Sequence, residues 1–281
     1  MNHLWRIRGT DHDLSQRGMI MGIVNVTPDS FSDGGKFLDT GRAVEHALRL
    51  VEEGADILDI GGESTRPGAE PVEEAEELRR VLPVIRTLRS VTKTLISIDT
   101  MKGAVARAAL EAGADIINDV TGLRGDPIMS HVASETDAGL VVMHMTGTPR
   151  TMQQKPEYVD VVADVSAHFA ERLHTLESIG IDPQRIVLDP GFGFGKTLEH
   201  NVSLMRALPR LAEAGRPLLV GVSRKSMIAR LLEEDGLEPR EWPTVALTSH
   251  MRELGARVFR VHEVKPNAHA LRMTEAIFAA A

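Results

Sequence analysis

The chain has 281 residues, with 32 Lys and Arg against 40 Asp and Glu, for a formal charge of −8. That length is one large domain or two ordinary ones, and an apolar share of 42% is enough to bury a sizeable core. Cysteine is absent, which excludes disulfides, thiolate metal sites and a cysteine nucleophile, and the mild acidity argues against sequence-independent nucleic-acid binding.

Residues 1–17 carry Arg6, Arg8, Asp11, His12 and Asp13 and lack the apolar stretch of a secretory signal. No later stretch is long and apolar enough to span a membrane, so the expected location is cytoplasmic. From residue 19 onward, short apolar runs recur at 19–24, 56–60, 95–98, 115–117, 140–143, 185–188, 218–222 and 257–261. Their length, β-branched content and flanking glycines predict buried strands. Helical periodicity falls between them at 42–53, 72–90, 102–111, 159–179, 200–214, 244–254 and 267–279, with Pro83 expected to kink the second. Strand–helix alternation means parallel strands with crossover helices, and eight units in one chain predict a (β/α)8 TIM barrel, an α/β fold, over residues 19–281. A doubly wound sheet is the runner-up. Residues 1–18 stand outside the units as a short N-terminal extension, a candidate cap for the barrel's bottom.

In such a barrel the chemistry sits just past the C-terminal ends of the strands. Those positions hold Asn25, then Gly61-Gly62-Glu63-Ser64-Thr65-Arg66, Asp99, Asn118-Asp119, His144, Asp189, Ser223-Arg224-Lys225, and Arg260 with His262. Each has a bland reading: Asp99 as a helix cap, His144 as a satisfied structural histidine, Asp119 as a loop tie. Eight convergent polar tips are harder to dismiss. Arg260, His262 and Asn25 belong to neighbouring strands and suit a phosphate or diphosphate. Asp99, Asn118, Asp189 and Lys225 suit a heterocycle whose edge is rich in N–H donors. A metal pair or a glycosidase pair of carboxylates is the alternative for Asp99 and Asp189. Gly195-Lys196-Thr197 imitates the end of a P-loop, but Pro190 stands where that motif needs glycine. Aromatic residues make up only 4% of the chain, and Phe31, Phe37, Phe192 and Phe194 read as loop residues.

The segments Met21-Gly22-Ile23-Val24-Asn25-Val26-Thr27-Pro28-Asp29-Ser30-Phe31, Gly61-Gly62-Glu63-Ser64-Thr65-Arg66-Pro67-Gly68, Asp189-Pro190-Gly191-Phe192-Gly193-Phe194-Gly195-Lys196 and Ser223-Arg224-Lys225 together resemble the dihydropteroate synthases of bacterial folate biosynthesis. The resemblance implies a transferase, usually a homodimer, that joins 6-hydroxymethyl-7,8-dihydropterin diphosphate to 4-aminobenzoate with Mg2+ and is blocked by sulfonamides. It places the pterin on Asp99, Asn118, Met143, Asp189 and Lys225. Diphosphate would meet Asn25, Arg260 and His262, with Asn25 also at the metal. 4-Aminobenzoate would lie among Phe31, Thr65, Arg66, Pro67, Phe194, Ser223 and Lys225. Asp99, Asp189, Lys225, Arg260 and His262 would carry the catalysis. Glu263 departs from the aspartate common in the family. The alternatives are a pterin-binding methyltransferase and a paralogue that binds pterin without catalysis; neither needs the whole set of tips.

Overall fold

The computed structural model describes residues 3–27, 36–65, 68–148, 150–154, 156–234 and 238–280. The chain opens with an antiparallel hairpin, β1 (Leu4–Ile7) and β2 (Thr10–Asp13). Eight parallel strands follow: β3 (Met19–Asn25), β4 (Ile57–Gly61), β5 (Leu95–Asp99), β6 (Ile116–Asp119), β7 (Gly139–Met143), β8 (Ile186–Asp189), β9 (Leu218–Val220) and β10 (Ala256–Val261). They close into a barrel in chain order, with β10 pairing back to β3. Around it stand α1 (Lys36–Glu52), α2 (Glu74–Val91), α3 (Gly103–Glu111), α4 (Pro127–Glu135), α5 (Val161–Ser178), α6 (Leu198–Arg206), α7 (Leu208–Leu211), α8 (Ser226–Leu232), α9 (Glu238–Glu253) and α10 (Val264–Ala279).

Strand side chains alternate between two apolar environments. Ile20, Val24, Leu58, Ile60, Ile96 and Ile98 face outward, in one cluster with Ala43, Ala47, Val81 and Ile85 of the helices. Met21, Ile57, Ile116, Val141, Val187, Leu219 and Val258 face inward and fill the lower barrel. Trp5, Ile7 and Leu14 from the hairpin and its exit join this inner layer, so the hairpin seals the N-terminal end of the strands. Trp5 Nε1 donates to Arg185 O at 2.9 Å, and Arg216 Nη2 donates to Leu4 O at 2.6 Å. One residue pair further up, the inward positions of β4, β5, β6, β8 and β10 turn polar, with Asp59, Ser97, Asn118, Asp189 and Arg260. That change marks the floor of the site.

The helices differ from the periodicity in instructive ways. Pro83 sits inside a continuous α2, and Pro243 inside α9, which starts six residues before the sequence pattern shows it. The segment expected as one helix over 200–214 divides into α6, α7 and a 3-10 turn at Ala212–Ala214, with Pro209 opening α7 because it has no N–H to donate. Helices α4 and α8, 9 and 7 residues long, were not expected from the periodicity. Asp126 accepts from Ile128 N at 2.9 Å, and Pro127 follows it, a start signal legible in hindsight. Phe37 lies in helix α1 rather than in a loop, and Phe192 is fully buried in the outer core.

Because Trp5 is fully buried and its indole is bonded, Trp5→Ala should cost about 3–5 kcal/mol of stability. Urea denaturation measures this, and an unchanged midpoint would show that the hairpin does not share the barrel's core.

Candidate active site

Register decides which tips meet. Asn25 pairs with Gly61, Gly61 with Asp99, and Asp99 with Asn118, while Met143 pairs with Asp189 on the far wall. At Gly61 the absent side chain leaves room: a Cβ there would lie 3.6 Å from the Asp99 Cβ and 3.9 Å from Asn25 Oδ1. The inward residues of β3, β4, β5, β6, β8 and β10 therefore converge on one mouth.

The centre is an ion network on the barrel axis. Arg260 Nε donates to Asp59 Oδ2 and Arg260 Nη2 to Asp99 Oδ2, both at 2.6 Å. Asn118 Nδ2 donates to Asp59 at 3.1 and 3.3 Å. Asp59 has no exposed surface and was missed by sequence reasoning; a carboxylate inside the run Ile57-Leu58-Asp59-Ile60 was its signal. Burial pushes Asp99 up to about 7; Arg260 opposes the shift and Asp59 adds to it. The two carboxylates hold the Arg260 guanidinium firmly charged, well above the usual arginine range despite its burial.

Opposite them, burial raises Asp189, against the pull of Lys225, and lowers Lys225 to about 8. Gly191 N donates to Asp189 Oδ1 at 2.7 Å. The Lys225 ammonium donates to Phe192 O and stands 4.5 Å from the centroid of the Phe194 ring. Phe194 packs with Met143, Met101, Met145 and Met152, making an apolar wall beside the charges. Gly191 has φ +67°, and a Cβ on it would fall 2.0 Å from His144 O, so only glycine lets this loop lie against the end of β7.

His262 Nδ1 lies 2.9 Å from Ser223 Oγ, so Ser223, expected beside aminobenzoate, also orients His262. His262 and Asn25 border a cavity of about 510 Å³ that also meets Arg42, His46, Arg49 and Arg224. Arg224 adopts φ +57°, an uncommon conformation for arginine, held by Glu241 at 2.7 Å and by Glu263. Thr65 is half-buried just after β4. Below it Glu63 pairs with Lys102, which also meets Glu77 at 2.5 Å, pinning the base of that loop. Phe31, Arg66 and Pro67 lie outside the described residues. Two tips do not join the mouth. Asp119 accepts from Thr121 N at 2.8 Å and Leu123 N at 3.0 Å, tying its own loop. His144 faces α5, with Nε2 3.1 Å from Asp164 and its ring 5.0 Å from His168, and burial lowers it to about 2.

The sequence profile described as "Pterin binding enzyme" matches residues 21–262. The dihydropteroate synthase of Neisseria meningitidis serogroup C is 47% identical over 278 residues, 98% of each chain. The chain belongs to the dihydropteroate synthase family. Among solved members, the Xanthomonas albilineans enzyme with 4-aminobenzoic acid superposes with a TM-score of 0.92 at 46% identity, covering 99% of both chains. The Yersinia pestis enzyme in a sulfonamide drug complex gives 0.91 at 42% identity, covering 98% of this chain and 99% of that one.

In this family member the axial carboxyl has a measurable signature. Asp99 keeps its proton to about 7, whereas the unfolded chain releases it near 3.8. Its contribution to stability is therefore present at low pH and is lost as pH rises through that window. Carbon-13 NMR of aspartate-labelled protein should show a carboxyl titrating near 7 that vanishes in Asp99→Asn; a spectrum flat from mildly acidic to mildly alkaline pH refutes the assignment.

Proposed function

We propose that this chain joins 6-hydroxymethyl-7,8-dihydropterin diphosphate to 4-aminobenzoate, releasing diphosphate and 7,8-dihydropteroate. The observation that carries this reading is the meeting of Asp99, Asn118, Asp189, Lys225 and Arg260 in one barrel mouth beside the Phe194 wall. The pterin's N–H-rich edge finds acceptors in Asp99, Asp189 and the Asn118 amide oxygen, and Met143 lies against its ring. Lys225 supplies a cation between the pterin and the second substrate.

Diphosphate binds toward Asn25, Arg260 and His262. Arg260 spends two N–H bonds on Asp59 and Asp99, and a guanidinium has five, so three remain to face the leaving group. Asn25 offers a single amide oxygen, and no group of three or more His, Asp or Glu able to hold a metal exists among the described residues. That donor set fits Mg2+, which takes one or two protein oxygens and completes its shell with water and substrate phosphate. When bound there, Mg2+ offsets charge on the departing diphosphate.

Cleavage of the carbon–oxygen bond runs ahead of attack, and the electron pair leaves with diphosphate. Arg260 and His262 stabilise that developing charge. The cation left on the pterin methylene spreads into the ring, where Asp99 and Asp189 oppose it. The aminobenzoate amine then forms the carbon–nitrogen bond and sheds its proton. Phe31, Thr65, Arg66, Pro67, Phe194, Ser223 and Lys225 hold this substrate in line. No protein nucleophile is used.

Residues 19–281 form the catalytic barrel and residues 1–18 its N-terminal extension. The cysteine-free sequence supports a cytoplasmic setting. No described helix is long and apolar enough to cross a membrane. The net charge of −8 argues against sequence-independent binding of nucleic acid.

Purified protein with Mg2+ should release diphosphate from the dihydropterin substrate only when 4-aminobenzoate is added, and sulfamethoxazole should compete with the aminobenzoate. Absence of aminobenzoate-dependent release overturns the reading.

A homodimer is the expected assembly. Its support is the exposed apolar set Leu231, Trp242, Met273 and Ile277 on α8, α9 and α10, which pack side by side. Sedimentation should give twice the 30.7 kDa chain mass, and Trp242→Glu should shift it to one; a monomeric parent protein refutes this assembly.

A further inference from the structure

One buried cation takes no part in the chemistry above. Lys196 is only 3% exposed, and its Nζ has three partners: His144 Nδ1 at 3.0 Å, His144 O at 3.2 Å and Phe194 O at 3.0 Å. We propose that Lys196 is a positioning residue for the aminobenzoate subsite, its ammonium locking the loop that carries Phe194 onto the end of β7. The proposal rests on the function assigned above, since it is that function which makes Phe194 a substrate wall.

Three N–H donors meet three acceptors, which is the full capacity of an ammonium. Burial pulls this ammonium down to about 7, and the three acceptors hold the third proton on it against that cost. The ring acceptor is set from behind. His144 Nε2 faces the Asp164 carboxylate, so the proton sits on Nε2 and leaves Nδ1 to accept. On the main-chain side, Lys196 reaches the carbonyl of Phe194 itself, the residue whose ring lies against Lys225 Nζ. The loop has further ties that do not involve Lys196: Lys225 Nζ to Phe192 O, Gly191 N to Asp189 Oδ1 at 2.7 Å, Tyr158 to Gly195 O at 2.8 Å, Gln153 to Gly193 O at 2.6 Å, and Asn201 Oδ1 accepting from Gly193 N at 2.7 Å. They keep the loop folded when Lys196 is changed. Among the described residues, Lys196 alone bonds both the Phe194 carbonyl and the β7 end. Removing it strands two carbonyls and a ring nitrogen in a buried place, and the loop relaxes to find other donors. Phe194 moves with it, while Asp99 and Asn118, on the opposite wall, stay in place.

The test is steady-state kinetics of Lys196→Met. The KM for aminobenzoate should rise on the order of tenfold, and the KM for the dihydropterin substrate should stay within about twofold. Phe194→Ala and Lys196→Met should be non-additive, the double variant being no worse toward aminobenzoate than Phe194→Ala. Lys196→Gln, with two N–H donors, should recover part of the loss, and it carries the test if Lys196→Met does not fold. Equal rises in both KM values, or multiplying effects in the double variant, overturn the proposal. A silent parent enzyme defeats the assigned function instead. In that case amide hydrogen exchange over residues 191–195 decides: faster exchange in the Lys196 variant supports the lock, and unchanged exchange overturns it.

Discussion

A guanidinium inside a barrel is tolerable only if carboxylates meet it there, because an unpaired charge in that setting would cost several kcal/mol. Arg260 satisfies this by lying between Asp59 and Asp99. The pair of acids is in turn acceptable only because one positive charge lies between them. Asn118 completes the lattice by donating to Asp59. Everything at the mouth is arranged around this lattice: Asp99 keeps a proton up to about 7, and both acid side chains are held at fixed angles to whatever enters.

The lattice exists because of the layer beneath it. Below it the inward positions are apolar and are closed by Trp5 and Ile7 of the hairpin, which keep water from entering from the bottom. Above it lie Lys225, Asp189 and the Phe194 wall. A dry floor and a charged, half-open mouth explain how carboxylates and cations can sit together with strongly shifted proton affinities. The loops then act as holders. The glycines at 191, 193 and 195 all take positive φ, letting that loop crowd the end of β7.

Much of this was legible along the chain. Alternating strands and helices, glycines after the helices, and a polar residue beyond each apolar run follow from one-dimensional pattern alone, because burial on both faces of a parallel strand leaves an uninterrupted apolar run. The short helices α4 and α8 were not read from the pattern; the signal for α4 lies in its start, Asp126-Pro127, where the Asp side chain caps the first turn. The fate of Phe192 was not legible, because a loop residue next to glycine can turn toward either the core or the mouth.

By itself the sequence determined the barrel and the ring of polar tips, and offered Asp99, Asn118, Asp189, Lys225 and Arg260 as candidates for its mouth. Only the tertiary structure decided direction and partnership. A strand end offers two neighbouring residues that point opposite ways, and register settles which one enters the mouth. That is why Met143 faces in while His144 turns to Asp164 and Lys196. It is also why Asp59, unremarkable within an apolar run, became the partner that holds Arg260: the two are 201 residues apart in the chain, and only barrel closure brings them within 2.6 Å.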